Sequence, residues 1–168
     1  MDRRGFTQML PAMLAALSLA PEAGAQQTKE DESKLTHGEP TVWHAPKGAS
    51  LQTLTSGVYR AEPMHGNTPG RQAHAFLAGI LKAGNIQIEM HETRQEPGTP
   101  HEAIGTHLHN EIWLVREGTC ELMTNGVVRT MRAGDVGLCC AGDTHWVRNA
   151  GDTPCSYFVV TVGPPERA

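Results

Sequence analysis

An Asn-Gly pair between two apolar runs, in Met123-Thr124-Asn125-Gly126-Val127-Val128, commits this chain to a pair of neighbouring strands. Asn and Gly accept the positive φ angles of a two-residue hairpin turn, so Thr119–Thr124 and Val127–Met131 are predicted to run antiparallel side by side. Ile86, Ile88 and Met90 alternate with Gln87, Glu89 and His91, the period of two expected where one strand face meets a core. From Thr41 onward, short β-friendly runs are separated by Gly, Pro, Asn and Asp clusters, and no stretch longer than about ten residues keeps a helical period. The other predicted strands are Thr41–Trp43, Leu51–Leu54, Gly57–Tyr59, His74–Leu81, Ile86–Glu92, Gly105–Val115, Val136–Cys140, His145–Asn149 and Cys155–Val162. That many short strands make an all-β sandwich or barrel.

Size and charge narrow the class further. The 168 residues suit one domain, and 18 glycines with 11 prolines favour short strands joined by tight turns over long helices. The formal net charge is −4 with nine histidines neutral, and no Lys/Arg cluster offers a footprint for nucleic acid, so that class of partner is excluded. Residues 1–25 carry Arg3 and Arg4, an apolar run from Met9 to Ala20 and the small residues Ala23, Gly24 and Ala25, the layout of a cleavable signal peptide. The run is too short to span a bilayer, so no membrane insertion is expected after cleavage. Arg3-Arg4-Gly5-Phe6 resembles a twin-arginine export signal, which implies a periplasmic or secreted protein. Residues 26–40 are polar and charged and read as a flexible lead-in, leaving 41–168 as the folded domain.

The chemistry gathers in the histidines. In Gly105-Thr106-His107-Leu108-His109-Asn110-Glu111, His107, His109 and Glu111 fall at steps of two, which on a strand puts them on one face. Two imidazoles and a carboxylate converging inside a small barrel are costly unless they bind something positive, and a divalent metal is the natural partner. Trp113 and Val115 continue the same period; they are candidates for the pocket wall and equally ordinary core residues. About 25 residues on, Gly134, Gly142, His145 and Asn149 punctuate a strand-turn-strand.

These two segments resemble the paired motifs of the cupin superfamily. The second motif, G-x5-P-x-G-x2-H-x3-N, is matched in register by Gly134, Gly142, His145 and Asn149, with Cys140 in place of the proline. The end of the first motif, E-x6-G, is matched by Glu111 and Gly118, and the resemblance spans residues 74–162. It implies a double-stranded β-helix, or jelly-roll barrel, holding one divalent transition metal (Fe, Mn, Ni or Zn) for a small-molecule ligand, with a homodimer formed through the sheets. Counted back from Gly118, the family's metal histidines fall on Gly105 and His107, so Gly105 stands where a ligand is usual. Two ligand sets stay open: His107, His109, Glu111 and His145 together, or His107, Glu111 and His145 with His109 turned aside. Either leaves positions free for water or substrate. With iron or manganese such a set suits oxygen chemistry on an enol or diol, and with zinc or nickel isomerisation or hydrolysis. A non-catalytic module that captures a small ligand or sugar in the same barrel is the alternative.

Other residues carry smaller expectations. His101, in a Pro/Gly-rich loop, is expected to be solvated, and His91 to be a satisfied structural histidine. Cys139 and Cys140 point to opposite faces of one strand, so at most one can bridge to Cys120 or Cys155, and Cys140 is the one expected beside the metal.

Overall fold

The structure, a computed structural model, describes residues 36, 38–44 and 50–165. The expected export signal and most of the lead-in lie outside the described residues. Residues from Glu39 onward form a compact unit of their own. It holds strands β1 (Thr41–Val42), β2 (Tyr59–Arg60), β3 (His65–Thr68), β4 (Arg71–Leu81), β5 (Ile86–Gln95), β6 (Asn110–Glu117), β7 (Thr119–Thr124), β8 (Val127–Arg132), β9 (Val136–Cys139), β10 (His145–Asn149) and β11 (Cys155–Gly163). No helix among the described residues is long and apolar enough to cross a membrane.

Two sheets make the sandwich. One has six strands in the order β3-β4-β5-β11-β6-β9, and the other has three in the order β10-β7-β8. The hairpin expected at Asn125-Gly126 pairs Thr124 with Val127, and Asn125 takes a φ of 49°. Between the sheets sits the core. Trp113, Val115, Cys139, Tyr157 and Val159 come from the large sheet, and Cys120, Leu122, Met131 and Val147 from the small one. Fully burying side chains of this kind contributes ~1.5–3 kcal/mol each, so the interior face of β6 and β11 anchors the fold.

Three expectations need correction. Leu51–Leu54 is not a strand; it meets β4 through a single parallel bridge, Thr53 to Ile80. β3 escaped the reading because His65-Gly66-Asn67-Thr68 is exposed throughout and has no apolar residue to set a period. The third correction bears on function: the stretch read as one strand from Gly105 enters the sheet only at Asn110. Gly105 is instead bridged to His145, donating to its carbonyl at 2.9 Å and accepting from its amide at 3.0 Å. Residues 106–109 are thus loop, tied to the segment before β10 by the Gly142 amide on the His107 carbonyl (2.8 Å). Asn110 adds a second tie by accepting the Ala141 amide at 3.1 Å.

All four cysteines are free, and Cys120 and Cys155 are completely buried. No bridge to Cys139 or Cys140 is present.

Candidate metal centre

Glu111 sits at the start of β6, directly across from Cys139 on β9 and Thr161 on β11, with its side chain turned into the sandwich. His145 opens β10 on the opposite sheet, so its ring reaches the carboxylate from across the interior. Nε2 of His145 lies 2.8 Å from Oε2 of Glu111. His107 approaches from the loop, Nε2 to Oε1 of Glu111 at 3.8 Å, and its ring is 5.3 Å from that of His145. One donor atom from each of these three residues lies within 4.8 Å of the others.

His109 is not part of that mutually close set. It stacks on His107 with ring centroids 4.6 Å apart, and its Nε2 is 3.2 Å from Oε1 of Glu111. Its charge also acts on Glu89, whose carboxyl is held below its ordinary range by a hydrogen bond from His91, against the opposing effect of burial. The period of two therefore holds from Glu111 onward, through Trp113 and Val115, and not for the two histidines. His107 and His109 reach Glu111 because the loop bends back, not because they share its strand. Gly163 makes room for that bend, since a Cβ there would lie 2.7 Å from Cα of His109.

The surroundings sort the remaining expectations. Trp113 borders the site, its ring 5.3 Å from His145, whereas Val115 is buried in the core cluster. Cys140 is exposed, and Cys139 is the cysteine beside the site, with Sγ 3.4 Å from Nδ1 of His145. The inward alternation from Glu111's cross-strand partner was the signal available for Cys139. Burial, with the charges of Asp143, Glu111 and Cys140 adding to it, pushes that thiol up to about 11. His91 pairs with Glu89 at 3.3 Å, and His101 is exposed and stacked on Trp146 at 4.9 Å. Glu102 escaped sequence reasoning altogether. Its Oε1 accepts a 2.8 Å hydrogen bond from the buried Tyr157 hydroxyl, which accepts one from Gln95 Nε2 at 2.7 Å. Burial raises the Glu102 carboxyl above its ordinary range, opposed by the Tyr157 hydrogen bond and the charge of Arg71.

Residues 91–161 match the sequence family Cupin_2, described as the Cupin domain. The chain has the cupin fold. Solved structures similar to it include KdgF from Halomonas sp., at 15% identity over 67% of this chain and 96% of that one, with a TM-score of 0.53. A Cupin 2 conserved barrel domain protein from Salinispora arenicola CNS-205 is 26% identical over 54% of this chain and 74% of that one, with a TM-score of 0.45. A predicted oxalate decarboxylase from Thermotoga maritima is 20% identical over 62% and 92%, with a TM-score of 0.47. No curated protein matches the sequence. The six- and three-stranded sheets are thus those of an all-β cupin barrel.

The donor set fits a divalent ion on its chemistry and its space. Two neutral imidazoles and one carboxylate suit Fe, Mn, Ni or Zn. An ion on Nε2 requires the ring proton on Nδ1, and Nδ1 of His145 faces the Cys139 sulfur. Room is left because residue 105 has no side chain: a Cβ there would lie 3.0 Å from Nε2 of both His107 and His145.

Proposed function

We propose that this cupin domain binds one divalent transition metal through His107, Glu111 and His145 and acts as a metalloenzyme on a small molecule with chelating oxygens, of the oxygenase or isomerase type. The observation that carries the reading is the convergence of the three donors within 4.8 Å of one another on elements from both sheets. A bound ion of this kind supplies Lewis-acid polarisation of a substrate oxygen, or a nucleophilic water at neutral pH. The chain's own groups do the rest. Glu111 offsets one positive charge and spans both imidazoles, Trp113 closes the inner wall against water, and Cys139 holds the orientation of His145.

Arg3, Arg4 and the apolar run that follows support export to the periplasm or beyond. Pairing into a homodimer is supported by the outer face of the large sheet. There Leu114, Val136 and Leu138 are respectively 43%, 64% and 56% exposed on the paired strands β6 and β9. A contiguous exposed apolar strip on a sheet face marks an interaction surface.

Elemental analysis of the purified chain, without a histidine tag, tests the reading beside His107→Ala and His145→Ala. About one equivalent of iron, manganese, nickel or zinc, lost in both variants, is expected. No bound metal, and none taken up on titration, would leave a barrel that binds by shape and hydrogen bonds alone.

A further inference from the structure

Two buried cysteines, one from each sheet, meet inside the sandwich. Cys120 lies on β7 with Asn149 of β10 as its cross-strand partner, and Cys155 opens β11 with Gln95 of β5 as its partner. Those two partners are themselves joined across the interior: the Asn149 backbone amide donates to Gln95 Oε1 and Asn149 Nδ2 to the Gln95 carbonyl, each at 2.9 Å. Gly118, at the corner where the chain passes from β6 to β7, presses on the same spot. A Cβ there would lie 2.7 Å from Cα of Cys155 and 2.8 Å from its Cβ. Both cysteines are wholly buried in one core cluster, and their thiols are hydrogen-bonded to each other. Cys139 is engaged with Nδ1 of His145 and Cys140 is exposed, so neither competes for this contact.

We propose that Cys120 and Cys155 close into a disulfide that staples the small sheet to the large one, a modification site separate from the metal centre and independent of any bound metal. Sulfurs in hydrogen-bond contact bring the β-carbons towards the ~3.5–4.5 Å of a bridged pair. The register fixes where the staple sits. On β10, Asn149 is four residues from His145, about 13 Å along the strand, and on β11, Cys155 is six residues from Thr161, the partner of Glu111, about 20 Å. The bridge therefore clasps the end of the sandwich away from the metal donors. Neither sulfur meets solvent once the sheets have closed, so the exchange belongs to the chain before closure. There, one of the two thiolates attacks a small-molecule or protein disulfide, displaces one half as a thiolate and holds the other in a mixed disulfide; the second cysteine, its proton lost, then attacks the first and releases that half. Two protons and two electrons leave the protein, and the oxidant becomes two thiols.

Full-length protein refolded from urea in mixed oxidised and reduced glutathione, and in dithiothreitol for comparison, tests this. Iodoacetamide added on unfolding blocks the remaining thiols. Trypsin, which cuts after Arg116, Arg129, Arg132, Arg148 and Arg167, then leaves Cys120, the Cys139 and Cys140 pair, and Cys155 on three separate peptides. The glutathione-refolded chain is expected to yield peptides 117–129 and 149–167 joined by a reducible link, with Cys139 and Cys140 alkylated. It is also expected to melt at least ~5 °C above the dithiothreitol-refolded chain, an advantage that Cys155→Ala loses. The wild-type peptide map decides the matter even should Cys155→Ala not fold. Four alkylated cysteines, a link through Cys139 or Cys140, or equal melting temperatures for the linked and reduced chains would each overturn the proposal.

Discussion

Nε2 of His145 lies 2.8 Å from Oε2 of Glu111, and the two residues stand on strands of different sheets. The centre therefore exists only when the sandwich is closed, and each donor tests a different part of the closure. Removing Glu111 or His145 is expected to reduce metal affinity by ~100-fold or more. His109→Ala is expected to lose less than ~10-fold, because its ring braces Glu111 and His107 from outside the convergent set. Calorimetric titration of the three variants checks this. A His109→Ala loss as deep as that of His145→Ala would establish the four-ligand set.

The apolar strip on β6 and β9 predicts the effect of Leu138→Glu. At an exposed position the monomer's stability should change by no more than ~0.5 kcal/mol. Sedimentation velocity should show the wild type as a dimer and the variant as a monomer at the same concentration. A monomeric wild type would rule out the sheet-face dimer.

Asn149 links distant parts of the fold. Its Nδ2 donates to the carbonyls of Gln95 and Thr153, each at 2.9 Å, and its Oδ1 accepts the Gly151 amide at 2.8 Å. Asn149→Ala leaves these partners unmatched, and a loss of about 2 kcal/mol is expected. For a domain of this size that lowers Tm by roughly 4–8 °C. An unchanged melting curve would show that water replaces the amide.

Glu102 gives a pH dependence with a definite sign. Burial raises its carboxyl above the unfolded value, so the stability it contributes is complete at low pH and is lost as pH rises through the raised value. Glu102→Gln keeps an acceptor for the Tyr157 hydroxyl without the charge. The variant is therefore expected to melt above wild type at pH 8, with the gap closing towards about pH 4. A gap that widens as pH falls would mean that the carboxylate is stabilised where it lies.

Much of this was legible in the sequence. Thr119–Thr124 and His145–Asn149 form strands with the predicted bounds, because each is short and closed at both ends by turn residues. Glu111 and His145 were readable from motif spacing. The loop character of His107 and His109 was not, because what lifts residues 106–109 out of the sheet is a bridge from Gly105 to a residue 40 positions away. Glu102 was hidden for the same reason. Its local sequence, Pro100-His101-Glu102, reads as a solvated turn, and the hydroxyl that its carboxylate accepts belongs to Tyr157, 55 residues on.

Asn125 does more than turn the hairpin. Its amide nitrogen donates to Asp143 Oδ1 at 2.8 Å, its Oδ1 accepts the Thr144 amide at 3.0 Å, and its backbone amide donates to the Thr144 carbonyl at 2.9 Å. The turn alone would accept aspartate, but the clasp on residues 143–144 requires a side chain that both donates and accepts. An Asn-Gly step is also where side-chain amides hydrolyse most readily. Deamidation would set a new carboxylate against Asp143, two residues before the strand that carries His145, and so couple the chemical ageing of a surface turn to the geometry of the buried centre.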